Sequence, residues 1–432
     1  MKAAILKSVA AITSLLTLPI SLRLGAQDVQ APNTSQAQYS VINLGTLGGS
    51  ASNGFGGVNA RGWVTGDANL AGDQNEHAFL WRDGVMTDLG TLGGPNSSVP
   101  TPVKDDKGLI VGGAQSATVD PLGEFWGAAY FCTANNCQGW QNLQLGFIWR
   151  NGVMAELSPI GGNNSEAFGV NNRGQAIGIA ETAILDPNCV APQVLDFEAV
   201  IWGPKPGQIE QLPVLPGDSI GAALAINDKG QVVGLSGICV VPTSFAGGVH
   251  AVLWEKGAVT YLGGFGGAMN NSGTGINNRG QIVGQSDLPG DTTWHAFLWE
   301  NGKMTDLGTL PGDFSSVASD INDKGQVVGS SCDVNFNCRA FLWENGAMTD
   351  LNTLIPPDSA LQLISGEGIN DRGEIAGTAF DPSTGEAPAF LAVPDCGPAA
   401  TEPATDSMPK VTLPENIRER LQHRIRFGRL RG

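Results

Sequence analysis

One nine-residue motif recurs seven times along this chain, and that repetition limits the fold more than any other feature. The copies are VNARGWVTG (58–66), KDDKGLIVG (104–112), VNNRGQAIG (170–178), INDKGQVVG (226–234), INNRGQIVG (276–284), INDKGQVVG (321–329) and INDRGEIAG (369–377). In six copies an apolar residue and Asn end one strand, with Lys104 and Asp105 in their place in the remaining one. Two polar residues and a Gly make a tight turn, and a short apolar run opens the next strand. A second element follows each motif, as in HAFLWENGKMTDLGTL (295–310), AFLWRDGVMTDLGTL (78–92) and AFLWENGAMTDLNTL (340–354). It reads as a strand, a hairpin turn such as Asn-Gly, and a return strand.

Each unit therefore predicts four short antiparallel strands, A to D, the content of a β-propeller blade. The last unit keeps only AFLAVPD (389–395) and lacks strand D, while the repeat region opens with an orphan strand D, YSVINLGTLGG (39–49). The predicted fold is all-β: a seven-bladed propeller over 39–396, closed by the first strand completing the last blade. Closure removes the edges an open array would expose; an open β-solenoid is the alternative.

The HAFLW…G…DLGTL unit resembles the HAF family of extracellular repeats over roughly residues 39–395. The resemblance implies export and repetition, and no defined reaction. Members of that family often end in a sorting tail with a membrane helix and an arginine-rich terminus. This chain ends in PENIRERLQHRIRFGRLRG, with the arginines and no apolar span.

Residues 1–26 read as a secretory signal, with Lys2 and Lys7 before the apolar AAITSLLTLPISL and a cleavage site at RLGA. A short membrane anchor is the alternative, for which Pro19 and Arg23 make a poor span. Residues 27–38 form a linker. The net charge of −17 is uneven: Gln27–Ala400 holds 14 Lys+Arg against 37 Asp+Glu, or 14 − 37 = −23, and the stretch from Met408 is basic. An acidic body does not gather nucleic acid. Residues 397–432 read as a Pro/Ala/Thr-rich linker and a basic tail, solvated or docked on the body, with Ile417, Leu421 and Ile425 spaced as one helix face. A secreted, periplasmic or cell-surface monomer without a membrane span is expected, with an unidentified glycan or protein as partner.

In such a blade the B–C and D–A loops share one face, and blades 2, 3 and 4 carry the long B–C loops. Six of the seven cysteines fall in these loops: Cys132 and Cys137, Cys189, Cys239, Cys332 and Cys338. The pairs 132/137 and 332/338 can pin their own loops, and Cys189 and Cys239 can staple adjacent blades; zinc is the rival reading, and Cys396 is left over. The blade 2 loop (113–145) concentrates Phe125, Trp126, Tyr130, Phe131 and Trp140 beside Asp120 and Glu124. Asp120, Glu124, Phe125, Trp126, Tyr130 and Trp140 are the candidate ligand-binding residues, as a stacking platform or a partner hot spot; a loop burying its own aromatics is the competing reading.

His77, His250 and His295 share one repeat position, which points to a structural polar contact between blades rather than catalysis. Asp67, Asp73, Asp287 and Asp291 are weak candidates for Ca²⁺, which takes oxygen ligands; no other cofactor is expected. No GxSxG, HExxH or phosphate-binding loop is present. A binding or scaffold module with its partner on the B–C face of blades 2–4 is the leading expectation. A lyase or glycosidase using Asp120, Glu124, Asp186 and Asp67 on that face is the alternative.

Overall fold

The computed structural model describes residues 38–124, 126, 141–189, 191–239, 249–395 and 411–425. The seven repeats fold as seven four-stranded antiparallel sheets arranged in a ring, a seven-bladed β-propeller. Blade 5 shows the pattern, with strand A at Asn271–Ile276, B at Ile282–Asp287, C at Trp294–Glu300 and D at Lys303–Gly308.

The repeated residues explain themselves in this blade. Gly280 turns the chain from A to B at φ +86°. Asn301 and Gly302 turn it from C to D at φ +53° and +79°, the mirror-image turn that suits the twist of a hairpin. The last glycine of the motif, Gly284, admits no side chain: a Cβ there would lie 1.9 Å from the Ser272 carbonyl oxygen and 3.0 Å from the Phe297 ring. That gap seats the fully buried Phe of the AFLW strand.

Closure follows the predicted route. Strand Tyr39–Asn43 pairs antiparallel with Ala389–Pro394, from Tyr39 opposite Pro394 to Asn43 opposite Phe390, and completes blade 7. Its continuation, LGTL (44–47), is the crossing into blade 1 rather than more of the strand, and Gly48 opens strand A of that blade.

The motif Asn does more than end a strand. The side-chain amide of Asn171 donates to the Asn227 carbonyl, Asn227 to Asn277, Asn277 to Asn322, Asn322 to Asn370 and Asn370 to Asn59, at 2.9–3.0 Å. Asn59 continues the belt to the Asp105 carbonyl at 3.1 Å. The belt breaks after Asp105, which stands where the other copies have Asn and carries no side-chain amide. A parallel belt runs through the next residue: the amide of Asn172 donates to Asp228, Asp228 to Asn278, Asn278 to Asp323 and Asp323 to Asp371. The turn motif thus locks each blade to the next.

Two of the predicted disulfides are present: Cys189–Cys239 joins blades 3 and 4, and Cys332–Cys338 pins the blade 6 loop. Cys132, Cys137 and Cys396 lie outside the described residues.

Part of the basic tail is built onto the ring. Helix Glu415–Ile425 buries Ile417 and Leu421, and Leu413 before it is buried too, against Phe336, Phe380, Ala387 and the Cys332–Cys338 pair. The Leu413 amide donates to Asn337 Oδ1 at 3.0 Å. Among the described residues no helix is long and apolar enough to cross a membrane.

Candidate functional site

The B–C face differs between its two halves. Over blades 6 and 7 it is covered by the C-terminal helix. Over blades 2 and 3 the B strands, Ile110–Val119 and Ala176–Leu185, run to ten residues where the other blades have six or seven. Their hairpins extend the register to Val119 opposite Asn142 and Leu185 opposite Leu195. Val119, Ile184 and Leu185 at their tips are 60%, 62% and 69% exposed. Leu122 and Ile238, in the loops of blades 2 and 4, are also exposed.

The aromatic platform expected in the blade 2 loop is not what the described part of that loop forms. Trp126 is 1% exposed and meets Phe197 edge-on at 5.7 Å, inside the core shared by blades 3 and 4. It anchors the loop instead of offering a stacking face. Phe125, Tyr130, Phe131 and Trp140 lie outside the described residues.

The two loop acids are buried as well. Asp120 accepts from the amides of Leu122 and Glu124 and from Asn164 Nδ2 at 2.7 Å. Glu124 Oε1 accepts from the amides of Val194 and Leu195, both at 2.7 Å, and from Gln193 Nε2 at 3.2 Å. These bonds tie the blade 2 loop to blade 3, a carboxylate satisfying otherwise orphaned backbone donors. Asp186 accepts from Asn188, and Asp67 accepts from Asn53 within blade 1. Asp120 and Glu124 are thus joined through Asn164, Glu181 and Gln193, while Asp186 and Asp67 are held by Asn188 and Asn53.

Beneath the loop lies a set of carboxyls that repeat reasoning missed. Burial raises Glu181 to about 8, reinforced by its hydrogen bond to and the charge of Glu124. Burial alone pushes Glu166 to about 8. Glu198 is raised to about 8 by burial and by Asp196, and Asp196 to about 6 by burial and by Asp186. Glu166, Glu181, Asp196 and Glu198 each depart from their repeat, which was the signal available in the sequence. For Glu166, Glu181 and Glu198 the folded carboxyl holds its proton more tightly than the ordinary value of 4.5. Their contribution to stability is fully present below that value and is lost as pH rises through about 8. The urea midpoint should therefore fall between pH 5 and pH 9, and Glu166→Gln should flatten the fall; a midpoint that rises over this range contradicts the assignment.

At the histidine position two contacts lie within a blade and two others reach the crossing from the preceding blade. His77 Nδ1 sits 2.9 Å from the Asp88 carboxylate and His295 Nδ1 2.9 Å from that of Asp306, each joining strand C to strand D of its own blade. Burial works to raise Asp88 and Asp306, yet the histidine and a glycine amide together hold both below the ordinary carboxylate value. His250 turns to Asp218 at 3.2 Å and stacks edge-on with Tyr261. Arg339 fills the position in blade 6 and bridges Asp350 and Asp313.

The Ca²⁺ candidates do not gather into one site. Asp73 Oδ1 accepts from the Ser50 amide and Asn69, and Asp291 Oδ1 from the amides of Ala268 and Met269, which fixes the D–A crossings. Asp67 and Asp287 are fully buried in strands. Among the described residues the one grouping of three metal-type side chains is Asp186, Cys189 and Cys239, and its two sulfurs are bonded to each other.

Two concave features lie on the ring axis. A pocket of about 110 Å³ on the B–C side is lined by residues of the A strands of blades 3 to 7, by B-strand residues such as Gln285, by the segment after strand A of blade 2 and by Leu421 of the tail helix. The opposite mouth is ringed by the motif asparagines. Lys104 crosses the channel to Asp320 at 2.6 Å and to the Ile369 carbonyl at 3.3 Å. Lys104 stands where six repeats have Val or Ile, and Asp320 where the others have Gly, Ala or Val.

No family model matches the chain, and no curated protein matches it. Among solved structures it is similar to the acylaminoacyl peptidase of Pyrococcus horikoshii, 10% identical over 83% of this chain with a TM-score of 0.46; it spans about half, 51%, of that protein. It is also similar to a gluconolactonase of Xanthomonas campestris, 9% identical over 83% of this chain and 92% of that one, TM-score 0.36. The Aleuria aurantia lectin is 9% identical over 84% of this chain and 98% of its own, TM-score 0.31. The fold rests on the strand pairing itself.

Proposed function

We propose that this chain is an exported propeller binding module of the HAF repeat type, holding a protein partner on the B–C face over blades 2–4. The observation that carries the reading is the pair of overlong hairpins whose tips leave Val119, Ile184 and Leu185 in solvent. Aliphatic tips on a rigid ring suit an apolar protein surface better than a glycan, whose rings stack on aromatics. Two disulfides suit an oxidising compartment outside the cytosol.

The test is photo-crosslinking in the source cells from position 184, with position 153 on the opposite side of the blade as control. A specific adduct from 184 that Leu185→Asp abolishes is expected, with no adduct from 153. Binding that survives Ile184→Asp/Leu185→Asp with the urea midpoint unchanged refutes this face. A glycan array run on both proteins covers the sugar reading; a signal insensitive to the double variant would move the function away from these hairpins.

A further inference from the structure

The axial pocket is a separate feature from the hairpin tips, and its chemistry points to its own ligand. Two polar side chains lining it are nearly fully buried and lack a hydrogen-bond partner among the described residues: Ser365 Oγ (1% exposed) and Gln285 Oε1 (4% exposed). A buried group left in that state costs about 1–3 kcal/mol, so such groups call for an explanation. Thr274 adds a hydroxyl that already donates to the Ala318 carbonyl at 2.6 Å and keeps its lone pairs for a further donor. Phe168 and Leu224 supply an apolar wall on the other side. Among its described lining residues the pocket has no Lys or Arg, and its one carboxylate, Glu367, is already engaged. The Lys104–Asp320 bridge spans the ring axis, and Lys104 also lines the opposite mouth.

We infer that this pocket binds one uncharged polyhydroxyl ring, such as the terminal sugar of a glycan, with Leu421 of the C-terminal helix as part of its wall. Its 110 Å³ is somewhat below the roughly 150 Å³ that admits a benzene-sized ring, so the sugar seats part-way with its outer hydroxyls in the mouth. One face of a pyranose is apolar and meets Phe168 and Leu224. Its hydroxyls donate to Gln285 Oε1 and exchange hydrogen bonds with Ser365 and Thr274.

The full chain would be titrated with methyl β-D-glucopyranoside, methyl β-D-galactopyranoside and the anionic methyl β-D-glucopyranosiduronate, read by saturation-transfer NMR and calorimetry. Saturable, roughly millimolar binding of a neutral glycoside is expected, with the uronide about ten-fold weaker. Gln285→Leu and Ser365→Ala should each weaken binding about ten-fold, the loss of one hydrogen bond. Leu421→Trp should fill the pocket and abolish binding. That residue sits on the tail helix, outside the seven sheets, so the ring closes without it. Failure of both neutral glycosides to bind saturably overturns the inference, as does binding by Leu421→Trp equal to the parent. Uronide binding as tight as the neutral forms overturns the assignment of an uncharged ligand. Ile184→Asp/Leu185→Asp should leave glycoside binding unchanged, which separates this result from the fate of the hairpin face.

Discussion

Replacing Lys104 with valine, the residue type of its repeat, should cost about 3 kcal/mol of stability, although valine is the better fit to the local pattern. Asp320 is 1% exposed and depends on that ammonium at 2.6 Å, with the amides of Ile321 and Ile369 as its other donors. Removing one partner strands a buried carboxylate, and the stranded charge, more than the lost attraction, sets the size of the effect. The companion Lys104→Val/Asp320→Gly returns both positions to the repeat and should lie within about 1 kcal/mol of the parent, since an apolar replacement of a buried pair is close to neutral. Urea midpoints and slopes of the two single variants and the double variant give the coupling. A Lys104→Val protein as stable as the parent would show that the bridge carries no weight.

The asparagine belt predicts effects of opposite sign at two copies of one position. Asn277 donates to the Asn322 carbonyl at 2.9 Å and to Gln281 Oε1 at 2.7 Å, and accepts from the amides of Arg279 and Gln281. Asn277→Ala orphans these groups in a site 4% exposed and should cost about 3 kcal/mol. Asp105 stands at the same position in blade 2, 1% exposed, and its Oδ2 has no hydrogen-bond partner among the described residues. Asp105→Asn keeps the two amides that Oδ1 accepts, from Lys107 and Leu109, and supplies the donor that carries the belt onward to blade 3. It should raise stability by about 1 kcal/mol. Equal and small effects at both positions would mean that the belt is incidental to the turn.

How much was legible in advance depended on distance along the chain. Gly280, the Asn301–Gly302 turn and the AFLW strand announce themselves because a turn and a hairpin are decided by residues a few positions apart. The Cys189–Cys239 staple was within reach because both cysteines fall in loops of adjacent blades. For the blade 2 loop the sequence left two readings open, an aromatic platform and a loop that buries its own aromatics. Its composition is that of a binding loop, yet Trp126 is taken up by Phe197, and Glu124 by the amides of Val194 and Leu195, about 70 residues away. The C-terminal helix was half legible: the spacing of Ile417 and Leu421 marks an apolar face, and nothing local says that Phe336 and Phe380 receive it.

The sequence by itself determined the number of blades, their strand order, their turns and the strand that closes the ring, because each follows from a pattern repeated within one unit of about 45–66 residues. The tertiary structure alone decided which departures from that pattern meet. Lys104 and Asp320 are 216 residues apart and face each other only because the ring brings blades 2 and 6 across one axis. Buried charge, capped pockets and docked tails depend on what the closed ring places opposite each residue, and a repeat read one unit at a time does not contain that geometry.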